Sequence, residues 1–275
     1  MKTIVAPTDF SPISLNAVYY AADLACVVGA DISLIHVCQM PLAINEVPSP
    51  SYGIPELMDE AEHRISLLKE KILRRTRRQI EVTTEVKLGN ILPEINEYCD
   101  SQNVYAVVMG GESAGPFERV LLGGKTISAI DEFLWPLIIV PPESKFSGIK
   151  KIGLACDLKD VAETVPVAEI KSLVKQLKAE LHVLNVVTEK EATLDPEMIK
   201  ESRKLREMLK GLDTRYHYLS GDDIENEIVE FADKNKFDFL IVIPKNHTLI
   251  SKLFRKRYSK KLVLHTHIPL MTIHE

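Results

Sequence analysis

The sequence predicts an α/β protein made of two tandem doubly wound units, each a mostly parallel sheet flanked by helices. Three observations carry this expectation. Short apolar runs alternate with longer amphipathic segments, the alternation occurs twice, and a proline-bearing break separates the two copies. Strands that read as continuous apolar runs between helices imply a sheet covered on both faces, because a wetted face would place polar residues at every second position.

The repeat is visible residue by residue. Lys2-Thr3-Ile4-Val5-Ala6-Pro7-Thr8-Asp9 lies over Lys150-Lys151-Ile152-Gly153-Leu154-Ala155-Cys156-Asp157 at an offset of 148. Ser33–Val37 lies over His182–Val186 at 149, and Trp135–Ile139 over Ile268–Thr272 at 133. The offset falls from 149 to 133, so the second copy is 16 residues shorter in its middle. Residues 41–55, with Pro41, Pro48, Pro50 and Pro55, supply the matching excess and read as an irregular insertion. Pro141-Pro142 cannot continue a central strand, since proline has no amide to donate. The expected domains are therefore 1–142 and 150–275, joined by a linker at 143–149.

Within the first copy, Ile4–Ala6 is a strand. Ser11-Pro12 supplies an N-cap and a first-turn proline for a helix through Val27, which Gly29 ends. Ile32–Val37 is the next strand, Pro55 to about Arg78 a charged helix, Glu81–Leu88 a strand and Leu92–Cys99 a helix. Ala106–Met109 is a buried strand, Thr126–Phe133 a helix and Leu137–Val140 the last strand. The second copy repeats this with strands at Ile152–Ala155, Leu181–Val187, Tyr216–Leu219, Phe239–Ile243 and Leu270–Ile273. Its helices are expected at Val165–Leu177, Pro196–Leu209 and Ile224–Ala232. Right-handed crossovers would gather Asp9, Gly89 and the loop after Met109 beyond the carboxyl ends of the strands, where such sheets bind ligands.

Composition removes several classes of function. A chain of 275 residues that is 45% hydrophobic has ample material for two cores, which excludes general disorder. Every apolar run stops short of the roughly 20 residues of a membrane helix, and the opening residues lack the layout of a signal peptide. Cys26, Cys38, Cys99 and Cys156 show no metal spacing and read as reduced, buried thiols of a cytoplasmic chain. A formal charge of −5 gives no reason to expect nucleic acid. The run Arg74–Arg78 suits the carboxyl end of a helix dipole instead.

Pro7-Thr8-Asp9-Phe10-Ser11 after the first strand, Gly89 before a helix, and Val107-Val108-Met109-Gly110 before a glycine-bearing loop together resemble the universal stress protein family. The resemblance spans nearly the whole chain, once per half. It implies an adenine nucleotide alpha hydrolase-like fold, with a five-stranded sheet in each unit. It also implies an intrachain pseudo-dimer closed through Leu137–Val140 and Leu270–Ile273, and, in many members, ATP binding. The family's nucleotide signature is glycine, two residues, glycine, nine residues, glycine, then serine or threonine. Reading from Gly110, the spacing leads to Ser113, Gly123 and Gly124, so two of the four positions depart from it. Small residues are needed there because main-chain amides must approach phosphate oxygens closely, at the start of a helix. Ser113 keeps much of that room. Gly124 lacks the hydroxyl, which Thr126 carries two residues on. The resemblance assigns the nucleotide to Pro7, Asp9, Val37, Gly89, Met109, Gly110, Gly111, Ser113, Gly123, Gly124, Lys125 and Thr126, with Asp9 on the adenosine side. A glycine-rich turn that binds nothing, and an Asp9 that only ties the turn before the first helix, form the other reading.

In the second copy the signature positions are Ile243, Asn246, Lys256 and Arg257, too bulky for an amide cradle. Residues 245–274 have no acidic side chain but carry Lys245, Lys252, Arg255, Lys256, Arg257, Lys260 and Lys261. Segment 245–261 reads either as a solvated face or as a seat for an anionic ligand or an acidic protein. His265 and His267 share one side of an extended segment, yet no third metal ligand accompanies them. Lys125-Thr126 echo a Walker loop without its first glycine, and no GxSxG or HExxH occurs. The sequence thus leads to a non-enzymatic cytoplasmic stress protein with an adenine nucleotide in domain 1 only and no metal of its own. Two alternatives remain beside it: a scaffold acting through protein contacts, and a slow ATPase. Intrachain pairing is expected, a homodimer is open, and neither nucleic acid nor membrane is a partner.

Overall fold

The computed structural model describes residues 2–39, 53–111, 129, 133–187, 196–244 and 266–273. The chain forms two compact units, Met1–Gly110 and Gly111–Glu275.

The first unit contains β1 (Thr3–Pro7), α1 (Pro12–Val28), β2 (Asp31–Cys38), α2 (Ile54–Arg75), β3 (Val82–Leu88), α3 (Ile91–Asp100) and β4 (Val104–Gly110). Its strands are parallel in the order β3-β2-β1-β4. Helix α1 begins where the sequence directs. The Ser11 hydroxyl accepts the Ser14 amide, Pro12 takes the first turn, and Gly29 closes the helix at a left-handed φ of 67°. A broad small-residue stripe (Ala17, Ala21, Ala22, Ala25) lets α1 lie close to the sheet. Strand parity divides the helices between the faces. Ser33 of β2 reaches Tyr98 of α3, and His36, three positions on, faces the side of α1 and α2. Helix α2 stops at Arg75, short of the expected Arg78, because Arg77 and Arg78 adopt left-handed φ of 51° and 56°. Arg75 instead grips Asp23 of α1 with two bonds of 2.8 and 2.7 Å.

The second unit contains β5 (Leu137–Val140), β6 (Lys151–Ala155), α4 (Val161–Thr164), α5 (Val167–Leu177) and β7 (Glu180–Val187). It continues with α6 (Pro196–Met208), β8 (Thr214–Ser220), α7 (Ile224–Lys234), β9 (Phe239–Val242) and β10 (Leu270–Thr272). Its strand order is β5-β10-β9-β6-β7-β8. Five strands, β10 to β8, run parallel, and β5 lies antiparallel along β10 with Ile138 opposite Met271. The last strands of the two repeats therefore pair, and β5 is grouped with the second unit. The expected helix Val165–Leu177 is α5, which starts at Val167 just after Pro166, and a four-residue α4 that the sequence did not announce precedes it and ends at Thr164.

Cys38, Cys99 and Cys156 are buried and Cys26 is half-buried. Burial, with the Asp100 charge, pushes the Cys99 thiol up to about 12, which makes it unreactive. Among the described residues no helix is long and apolar enough to cross a membrane.

The close fit of β6 gives a test. A methyl on Gly153 would lie 2.7 Å from Leu240 Cδ2 and 2.8 Å from Phe237 Cδ2. Gly153→Ala should lower stability by about 1–3 kcal/mol through overpacking, read as a shift in denaturant midpoint at unchanged slope.

Candidate functional site

In the first unit β1 is flanked by β2 on one side and β4 on the other, so the chain leaves their carboxyl ends in opposite directions. The crevice between the ends of β1 and β4 is the switch point at which open α/β sheets take ligands. Pro7 closes β1, Asp9 is exposed just beyond it, and Met109 and Gly110 close β4. Val37 sits near the end of β2, beside β1. These residues come together. Gly89 joins only the Val37 side: it follows β3, three strand positions from β4, or about 14 Å at ordinary strand spacing. Its amide donates to Cys38 O at 3.0 Å, and its φ of 153° suits glycine. Ser113, Gly123, Gly124, Lys125 and Thr126 lie outside the described residues, as do the 41–52 stretch of the insertion and the basic segment 245–261.

The geometry gives each described residue a structural duty. Asp9 Oδ1 accepts the Ser11 amide at 2.9 Å, which ties the turn from β1 into α1. Partial burial pushes the Asp9 carboxyl up, but the Ser11 and Ser14 hydroxyls and the Ser11 amide outweigh it and hold it below its ordinary value. Asp9 is therefore ionised at neutral pH. A methyl on Gly110 would stand 2.6 Å from Ile13 Cγ2 and 2.9 Å from Ile13 O, so glycine there lets the first turn of α1 approach β4. A methyl on Gly111 would meet Ile139 Cγ2 at 2.7 Å, and the Gly111 amide already donates to Val140 O at 2.8 Å. In this arrangement the Gly111 amide already has a partner inside the protein.

Sequence reasoning missed three residues that build the mouth. Thr8 is buried, and its hydroxyl accepts the Phe10 amide at 3.0 Å and meets Ser14 Oγ at 3.1 Å. His36 Nδ1 lies 2.7 Å from Thr8 O. A carbonyl only accepts, so Nδ1 carries the hydrogen and, in the neutral ring, Nε2 is the acceptor. Phe10, at a left-handed φ of 64°, lays its ring 4.7 Å from that of His36, and the Arg64 guanidinium of α2 covers Phe10 at 4.2 Å. The available signal was a histidine interrupting an apolar strand beside Val37.

The second unit repeats the switch point, with β6 between β7 and β9, and repeats the turn. Asp157 Oδ1 accepts the Lys159 amide at 3.2 Å, Leu158 takes a left-handed φ of 54°, and Asn185 Nδ2 donates to Cys156 O at 3.0 Å. There the likeness ends. Leu158 and Val161 are fully buried, and Asp157 is only 5% exposed. The buried Glu201 carboxylate of α6 accepts the Val161 amide at 2.8 Å, so the protein's own anion caps the short α4. Among the described residues no group of three or more His, Cys, Asp and Glu is arranged to hold a metal.

The Asp9 turn is separable from any ligand role. Asp9→Asn, which keeps an acceptor for the Ser11 amide, should retain most of the stability. Asp9→Ala should lose about 1 kcal/mol in denaturant unfolding. Because the folded carboxyl is held low, this contribution should be present above the unfolded value near pH 4 and fade as pH falls below it, in the wild type and not in Asp9→Asn.

A sequence model of the universal stress protein family matches residues 1–141 and again 148–274. A universal stress protein of Methanocaldococcus jannaschii is 29% identical over 157 residues, which is 52% of this chain and 84% of that protein. Among solved structures, a universal stress protein from Archaeoglobus fulgidus superposes with a TM-score of 0.73 at 19% identity, covering 99% of this chain and 96% of the other. A functionally unknown protein of Pseudomonas aeruginosa PAO1 gives a TM-score of 0.64 at 11% identity, over 100% and 92%. At these identities the structural likeness is one of fold, whereas the double match accounts for nearly every residue: the chain belongs to the universal stress protein family and carries two tandem copies of its domain.

Proposed function

We propose that this chain is a stress-response protein of the cytoplasm whose first domain binds an adenine nucleotide at the mouth between β1 and β4, and whose second domain does not. The domains extend over 1–142 and 150–275, with 143–149 as the linker. The observation that carries this reading is the contrast between two aspartates at equivalent places. Asp9 is exposed beyond the end of β1, while Asp157, beyond the end of β6, is buried, and the Val161 amide of the α4 that follows it is capped by Glu201. The preserved Gly110…Gly123 spacing supports the same assignment, with phosphate contacts from the amides of Gly110, Ser113, Gly123, Gly124 and Lys125 and from the Thr126 hydroxyl. Pro7, Val37 and Met109 line the nucleoside side with Asp9. The protein acts by binding rather than by turnover, and the nucleotide biases one conformation of the domain that holds it.

A second reading draws on a specific observation. Gly110, Gly111 and Asp9 are each accounted for by packing or turn formation, as a protein acting only through protein contacts requires.

Calorimetric titration of ATP, ADP and AMP into the full chain separates the two. Measurable heat in the wild type, an affinity at least about 10-fold weaker in Gly123→Arg, and no change in Asp157→Asn are expected. Absence of heat with every nucleotide, or equal heat in Gly123→Arg, would overturn nucleotide binding in favour of the scaffold. Phosphate release abolished by Asp9→Asn would instead identify a slow ATPase.

A further inference from the structure

The duplication isolates a polar pair that only the second unit has. Ser33 of β2 corresponds to His182 of β7, and Glu85, opposite Ile35, corresponds to His217, opposite Leu184. In the first unit Ser33 Oγ meets Tyr98 Oη at 2.7 Å, and Glu85 lies 3.8 Å from Lys87. In the second, His182 Nδ1 stands 2.9 Å from His217 Nε2. The ring planes agree within 8° and the centroids are 5.1 Å apart. That separation exceeds the N···N distance only by about the two ring radii. The imidazoles therefore lie end to end in one plane, joined by an N–H···N bond, rather than face to face.

The bond has a direction. Glu180 Oε2 lies 3.4 Å from His182 Nε2, outside hydrogen-bond geometry but close enough for its negative charge to favour the hydrogen of neutral His182 on Nε2 over a lone pair there. His182 Nδ1 is then the acceptor and His217 Nε2 the donor. Phe237 packs 4.8 Å from His182, and Phe231 of α7 4.8 Å from His217. The two phenyl rings meet edge to face at 87°. The charges facing the pair come from the strands: Glu180 of β7, Arg215 of β8 and Lys151 of β6. Helix α7 and the turn after it present Phe231 and Phe237. Arg215 shares Glu180 at 3.4 Å, so that carboxylate is not devoted to an imidazolium. Burial is the largest influence on both rings. With Arg215 beside both, it holds both below the ordinary histidine value despite the Glu180 contact to His182.

We propose that the Glu180–His182–His217 chain is an acid-released latch that fastens the edge strand β8 and helix α7 to the second domain. A first proton can enter at His217 Nδ1 and leave the N–H···N bond intact. A second must take His182 Nδ1, which removes the sole acceptor and sets two N–H groups and two cations against each other among aromatic rings. The pair thus titrates as a unit. Strand β8 yields first, because as an edge strand it has a ladder on one side only. An opened segment binds both protons near the ordinary value of about 6.5, and the closed one does not. The latch is therefore fully closed above that pH and loses its hold as pH falls below it. Opening rises about 10-fold per pH unit for each proton taken up.

The test is histidine ring ¹⁵N spectroscopy together with amide exchange on the full chain at pH 7.5 and 5.5, with exchange corrected for its intrinsic pH dependence. Expected are Nε2–H tautomers for both rings at pH 7.5, coupled titration below about 6.5, and acid-accelerated exchange in Thr214–Ser220 and Ile224–Lys234. The corresponding β3 and α3 amides, which lack the pair, should not accelerate. His217→Gln keeps a donor toward His182 but takes up no proton, and should reduce the acid acceleration about 10-fold. Independent titration of the two rings near 6.5 in the wild type would overturn the proposal without any variant, as would equal acceleration in β3 and β8.

Discussion

The residue behind the strand-end aspartate must accept a left-handed backbone, and the rest of each mouth is arranged around that requirement. Phe10 and Leu158 both adopt it, at φ of 64° and 54°, where a side chain costs on the order of 1–2 kcal/mol. The same two bonds offset the cost in each domain. The aspartate accepts the amide two residues on, and a side chain from the neighbouring strand meets the carbonyl just before it, His36 in one case and Asn185 in the other. Chemistry at this position can change as long as a donor remains, which is why histidine and asparagine occupy equivalent places.

The strands were legible because apolar runs bounded by glycine and proline have few other uses, and every strand lies within two residues of its expected bounds. The cap at Ser11-Pro12 and the stop at Gly29 were legible for the same reason: each acts through its immediate neighbours. What escaped was short or long-range. Helix α4 is four residues, less than any periodicity can reveal. The end of α2 depended on backbone conformations at Arg77 and Arg78 that no side-chain pattern announces. The cap on the Val161 amide comes from Glu201, 40 positions along the chain, which no local pattern announces.

The glycines show a subtler limit. In sequence, Gly110 and Gly111 read as room for a phosphate, whereas in the fold Ile13 and Ile139 stand within 2.6 and 2.7 Å of where a methyl would be. Close packing of a neighbouring element and close approach of a ligand demand the same small residue. Spacing alone therefore cannot apportion such a motif between architecture and binding.

Unequal divergence of the two domains follows from where the constraint lies. After the shared turn, α1 continues without interruption from Pro12 and leaves Asp9 at the surface. In the second domain Pro166 interrupts the equivalent helix, and the short first piece carries Glu201 at its Val161 amide. On the opposite face of the second domain the pair replacing Ser33 and Glu85 joins the two outermost strands. One fold thus supports an exposed Asp9 and a buried Asp157, because the turn that both need is made before the chain reaches the segment in which they differ.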